Sequence, residues 1–182
     1  SLVELKSETD FSAKAADFVE LTQRLADAVL ADGEGAIDAL KDDIDSLKIA
    51  KRENIEVGKV VRFEAADGNV LDAYVHIQDG RGTNAVLLEV AGADMETAHE
   101  IALHIAAAAP RYVSPDEIDE DEVAAERSVF EQKAAEEGKP ENVRERIVEG
   151  QLAKWRKEIA LLDQPHVNAD KHEGKTIEQL RE

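Results

Sequence analysis

Leu2-Val3-Glu4-Leu5-Lys6 alternates apolar and polar side chains as a half-buried strand does. A polar stretch follows, Ser7-Glu8-Thr9-Asp10-Phe11-Ser12-Ala13-Lys14, and then Phe18, Leu21, Leu25 and Val29 recur at helical spacing, predicting a helix over 15–31. A strand feeding a long helix returns downstream. Leu88-Glu89-Val90 closes a strand over 85–90, and a helix over 94–109 follows with Ile101, Leu103 and Ile105 on it, stopping at Pro110. Glu4 and Asp17 are 13 positions apart, whereas Glu89 and Asp94 are 5 apart. The first unit therefore carries an insertion of about eight residues between strand and helix, and that insertion holds a large aromatic, Phe11, in a polar setting.

The remaining elements extend from this pair. Gly33 and Gly35 end the first helix, and Ile37, Leu40, Ile44 and Leu47 mark a second. A strand is expected over 55–65, then a turn at Asp67-Gly68, a strand over 70–77, and a loose hairpin loop over 78–83. From residue 116 to about 162 the chain is charge-rich and helical, interrupted only at Gly138-Lys139-Pro140, which reads as the turn of an antiparallel helical hairpin. Val123 and Phe130 are expected to face Val143, Ile147, Leu152, Trp155, Ile159 and Leu162 across it. Thr176-Ile177-Glu178-Gln179 has capping-box spacing and opens a last, short helix. The fold class that results is α+β: two repeated small sheet-plus-helix subdomains with an inserted coiled-coil-like hairpin. The divisions are 1–67, 68–112, 113–164 for the hairpin, and 165–182 for the return of the second subdomain. Because the chain starts at Ser1 and in mid-pattern, it is expected to be part of a longer protein.

Composition narrows the function classes. With 22 Lys and Arg against 41 Asp and Glu, the formal net charge is −19. Such a surface repels phosphate backbones and anionic lipid, so neither nucleic acid nor membrane is expected as a direct partner. Cys is absent, which removes disulfides, thiolate metal sites and thiol nucleophiles. No apolar run approaches the roughly 18 residues of a membrane span, and a cytoplasmic location is expected.

No catalytic constellation emerges. His99 and His104 are five apart, which misaligns them on a helix face, and no metal or cofactor is expected at the histidines 76, 99, 104, 166 and 172. Gly174-Lys175-Thr176 resembles the end of a phosphate loop, but Ala169 stands where its first glycine belongs. Trp155 reads as hairpin core rather than a recognition anchor. For the insertion two readings stand: Thr9 or Asp10 caps a helix while Phe11 folds back onto the core, or Phe11 is an exposed wedge beside a carboxylate.

Several stretches in order along nearly the whole chain resemble the bacterial translation elongation factor Ts family. They are Glu8-Thr9-Asp10-Phe11 with Ala13-Lys14; Tyr74-Val75-His76 with Gly80-Arg81; His104-Ile105-Ala106-Ala107 with Pro110; and Gly138-Lys139-Pro140-Glu141-Asn142. Ile147-Val148-Glu149-Gly150-Gln151-Leu152 and Leu161-Leu162-Asp163-Gln164-Pro165 complete the set. The resemblance implies a guanine-nucleotide exchange factor that acts on the GTPase EF-Tu by protein binding, without covalent chemistry. It implies that Thr9, Asp10 and Phe11 enter the GTPase near its magnesium site, Phe11 as the wedge, and that His76 contacts it near the phosphates. It further implies that the 113–164 hairpin is a coiled-coil dimerisation module. Where the family commonly has Gly before Glu-Asn, this chain has Arg52. The family's ubiquitin-associated-like N-terminal domain and the end of its second subdomain lie outside these 182 residues. The rival function is a non-catalytic acidic adaptor built on the hairpin, and a small acidic hydrolase ranks third.

Overall fold

A computed structural model describes all 182 residues, Ser1–Glu182. The chain is a mixture of helices and small antiparallel sheets, an α+β protein. It separates into two compact units, Ser1–Ala102 and Leu103–Glu182.

In the first unit β1 (Leu2–Lys6) pairs antiparallel with β2 (Glu56–Val61), Leu2 opposite Val61 and Lys6 opposite Glu56. β2 is shorter than the expected 55–65 and ends at Val61, opposite Leu2. Between these strands lie α1 (Asp10–Lys14), α2 (Ala16–Asp32) and α3 (Lys41–Lys51). α2 buries the residues that announced it, Phe18, Leu21, Leu25 and Val29. Phe18, Leu21 and Leu25 join Ile44, Leu47 and Ile55 to form the core, with Val3, Leu5 and Val57 of the sheet packed against it. Gly33, at φ 89°, ends α2. The expected second helix divides: Glu34–Leu40 is a 3₁₀ segment and only then does α3 begin. Ile37 and Leu40 are three apart, the spacing that stacks side chains at three residues per turn.

The second sheet of this unit is the hairpin of β3 (Asn69–Gln78) and β4 (Arg81–Ala91). The loose loop expected over 78–83 is instead a two-residue turn. Asp79 (φ 52°) and Gly80 (φ 78°) both adopt left-handed backbone, which matches the twist of the flanking strands, and Gln78 pairs with Arg81. β4 therefore starts at Arg81 rather than Ala85, and a register shift between His76 and Ile77 takes up the odd residue. α4 (Met95–Ala108) follows and carries the boundary between the units.

In the second unit α5 (Glu120–Glu136) and α6 (Glu141–Ile159) pack together through Ala134, Val148 and Leu152. Val123, Phe130 and Trp155 are partly buried against them. Val148 therefore takes the place expected of Ile147: of two adjacent apolar residues, the rotation of the helix against its partner buries one. After α6 come α7 (Ala169–His172) and α8 (Ile177–Arg181). Five residues cannot hold a helix alone; α8 is held by the capping box of Thr176 with Gln179, by burial of Ile177, and by the Ile177 N–H donating to the Gln164 carbonyl at 3.0 Å.

Candidate functional site

The insertion that stood out in sequence is a short helix fastened on several sides. Thr9 is its N-cap, its hydroxyl accepting from the Ser12 N–H at 3.3 Å. The same hydroxyl donates to Glu53 Oε1 at 2.6 Å, and the Thr9 N–H donates to Glu53 Oε2 at 3.2 Å. These bonds, led by the hydroxyl, hold the Glu53 carboxyl below its usual range. Glu53 can reach Thr9 because α3 ends at Arg52 in left-handed backbone (φ 56°, ψ 35°), its N–H returning to the Lys48 carbonyl at 2.8 Å. The turn thus has the geometry glycine favours although arginine occupies it.

The other ties come from the β3–β4 turn. Arg81 Nη2 donates to Asp10 Oδ1 at 3.0 Å, and Lys14 Nζ lies 2.9 Å from Asp79 Oδ2. The Lys14 ammonium holds the Asp79 carboxyl below its ordinary pKa. Within α1 Ser12 is buried, whereas Phe11 is 88% exposed. The capping reading of Thr9 and the exposed reading of Phe11 both describe the structure, and the folded-back ring does not. α1 is not a continuation of α2, since Ala15 between them is extended (φ −70°, ψ 140°). A phenyl ring is therefore held out into solvent on a small, fastened platform.

His76 lies on β3 of the same hairpin, exposed, with Nδ1 3.1 Å from the Tyr74 hydroxyl. Alternation along β3 puts Asp72, Tyr74 and His76 on one face. The Tyr74 ring also stands edge-on to His99, 6.1 Å between centroids, and His99 Nδ1 is 3.0 Å from Asp72 Oδ2. Thr9, Asp10 and Phe11 thus share one platform, and His76 belongs to the hairpin whose turn grips that platform.

His104, the other member of the five-residue pair, is buried in the second unit. Its Nδ1 accepts from the Val167 N–H at 3.1 Å, so its Nε2 carries the proton and donates to Gln164 Oε1 at 2.8 Å. Burial pushes its pKa down, outweighing the bond to Gln164. This histidine is a neutral strut. Trp155 is partly buried against the α5–α6 core, as its spacing suggested.

Two residues of the site, Glu53 and Arg81, have roles that local sequence pattern does not reveal. Their contacts join positions 44 and 71 residues apart, beyond any local periodicity. The signals available were the charged residues beside the turns at 51–54 and 79–81.

The profile of the family described as Elongation factor TS matches residues 8–182. Among the most similar curated relatives is a protein named Elongation factor Ts from Paraburkholderia phymatum, 39% identical over 191 residues and covering 99% of this chain and 62% of the relative. The protein of that name from Bordetella petrii is 40% identical over 193 residues, with the same coverage of both chains. The one from Nitratidesulfovibrio vulgaris is 39% identical over 182 residues, covering 93% of this chain and 61% of its own. The chain thus spans about three fifths of the length of the relatives it matches. By the profile and by these identities, the chain belongs to the elongation factor Ts family.

Proposed function

We propose that this chain is the exchange-promoting core of a guanine-nucleotide exchange factor, binding the GTPase EF-Tu and speeding GDP release by disturbing its magnesium and phosphate site. The observation that carries the reading is the Phe11 ring, 88% exposed on a helix held at Thr9, Asp10 and Lys14. An exposed large aromatic on a mobile loop loses much of its binding energy to ordering, and one on a fastened helix does not. Burying one Phe side chain stabilises by roughly 1.5–3 kcal/mol, and that energy is available to hold the neighbour in a strained arrangement. Mg²⁺ demands near-ideal octahedral oxygen geometry. A small displacement of the segments that hold its water and phosphate ligands weakens the ion first and the diphosphate next.

No group of this chain forms or breaks a covalent bond in that process. Phe11 is the wedge; Thr9 and Asp10 set the helix that presents it; His76 is a second contact toward the phosphate end. Linkage makes the effect mutual: GDP must weaken the binding of the factor by the ratio in which the factor weakens GDP. Residues 113–164 serve as a helical hairpin through which two copies of the protein pair. The net charge of −19 disfavours nucleic acid and anionic membrane as partners. No helix is long and apolar enough to cross a membrane, and the work is assigned to the cytoplasm. An adaptor that merely tethers partners has no need of a fastened, exposed phenyl ring.

The test is direct. EF-Tu from the same organism is loaded with fluorescent GDP, chased with unlabelled nucleotide, and mixed with increasing amounts of the protein. Release that accelerates and saturates supports exchange activity. Binding without acceleration supports the adaptor instead.

A further inference from the structure

We propose that Arg81, in the turn of the β3–β4 hairpin, is a positioning residue for Phe11, acting through Asp10. The proposal rests on the exchange reading of Phe11. α1 has five residues and is separated from α2 by the extended Ala15, so its own hydrogen bonds do not fix its orientation and α2 does not continue into it. The orientation is set by what it touches.

Asp10 and Lys14 are four residues apart and therefore lie on one face of α1. Both are met by a single tight turn: Arg81 Nη2 on Asp10 at 3.0 Å, and Asp79 on Lys14 at 2.9 Å. The signs are crossed, acid to base and base to acid. Any rotation or slip of the helix that exchanged these partners would bring Asp10 to Asp79 and Lys14 to Arg81, so the two pairs define one register. Asp79 and Gly80 in left-handed backbone close the turn in two residues and fix the spacing of the two charges on it.

Arg81 is held for this contact. Its side chain is only 20% exposed, and its Nε is buried with no hydrogen-bond partner. An unmatched buried donor is unfavourable, and Nη2 on Asp10 is the bond gained by holding the guanidinium there. Phe11 is the next residue after Asp10, about 100° further round the helix. Gripping the Asp10 face therefore sets the direction in which the ring points. The carboxylate of Asp10 is an internal anchor, not a group that reaches toward the partner's ion. The hairpin that grips α1 also carries His76, so one strut sets both contact groups.

The experiment compares Arg81→Met, Asp10→Asn, the double variant and Lys14→Met in saturation curves of GDP release. Amide hydrogen exchange of residues 10–14 is measured in the free proteins. Both carboxylates are largely exposed, and pairs of this kind are worth about two- to fivefold in an equilibrium. Arg81→Met is expected to lower the maximum release rate by about that factor with little change in half-saturating concentration, and to speed amide exchange over 10–14. Asp10→Asn should match it, the double variant should fall no further, and Lys14→Met, which leaves Arg81 in place, should shift in the same direction. Full release rate in Arg81→Met while Asp10→Asn is impaired would overturn the proposal, since Asp10 would then act on the partner itself. Unchanged amide exchange in Arg81→Met would overturn it as well. If the wild-type protein gives no acceleration, the exchange reading fails and this role fails with it, which the wild-type curve alone distinguishes from failure of the positioning step.

Discussion

Replacing Arg52 by glycine should make the protein more stable, although it removes a whole side chain. Arg52 ends α3 with φ 56° and ψ 35°, where a Cβ crowds the backbone at a cost of about 1–2 kcal/mol. Glycine removes that strain but leaves the unfolded chain more freedom, which offsets about 0.5–1 kcal/mol. Arg52 is exposed and makes no ion pair, so no contact is lost. The balance is a gain of about 0.5–1 kcal/mol, or roughly 1–4 °C in the melting midpoint for a chain of this size. Thermal unfolding followed by circular dichroism reads it. Arg52→Ala is the control, because alanine keeps the Cβ and should gain nothing. A lower midpoint for Arg52→Gly, or the same rise for Arg52→Ala, would refute the reasoning. The outcome bears on the site, since this turn delivers Glu53 to Thr9.

Two further perturbations concern the second unit. His104 is neutral when folded and its pKa is lowered by burial, so the unfolded chain takes up its proton first as pH falls. Its contribution is complete above about pH 6.5, the unfolded value, and is lost below that, toward the folded pKa. A melting midpoint that declines from pH 7 to 5, with a shallower decline in His104→Gln, is the expected result; equal slopes would contradict it. Ile177 is 1% exposed, and Ile177→Ala should lower stability by about 2–5 kcal/mol and free the amides of α8 to exchange. Protection of 177–181 at wild-type level would show that the capping box alone holds the helix.

How much of this was legible in the sequence depends on the range of the interaction. The helix of Phe18, Leu21, Leu25 and Val29 was readable because its apolar face repeats locally and meets one core. The capping of Thr9 was readable for the same reason, since the bond to Ser12 spans three residues. The β3–β4 turn is shorter than its glycines suggest: Asp79-Gly80 close it in two residues, so Arg81, Gly82 and Asn84 already pair with Gln78, Ile77 and His76 and β4 starts four positions earlier. Val148 could not be preferred to Ile147, because the choice lies with the partner helix. Exposure of Phe11 could not be derived from its spacing, since a polar loop can fold an aromatic inward or present it. That outcome is decided by Glu53 and Arg81, which fasten the helix from distant parts of the chain.

The most direct measurement of the central claim is the release of fluorescent GDP from EF-Tu with wild-type protein and with Phe11→Ala, each at saturation. Phe11 is exposed and packs on nothing in the core, so the variant should melt as the wild type does. Loss of roughly 1.5–3 kcal/mol of burial corresponds to a rate lower by about ten- to a hundredfold, and that is the expected result. A variant that is equally stable and releases GDP at the wild-type rate would contradict the account.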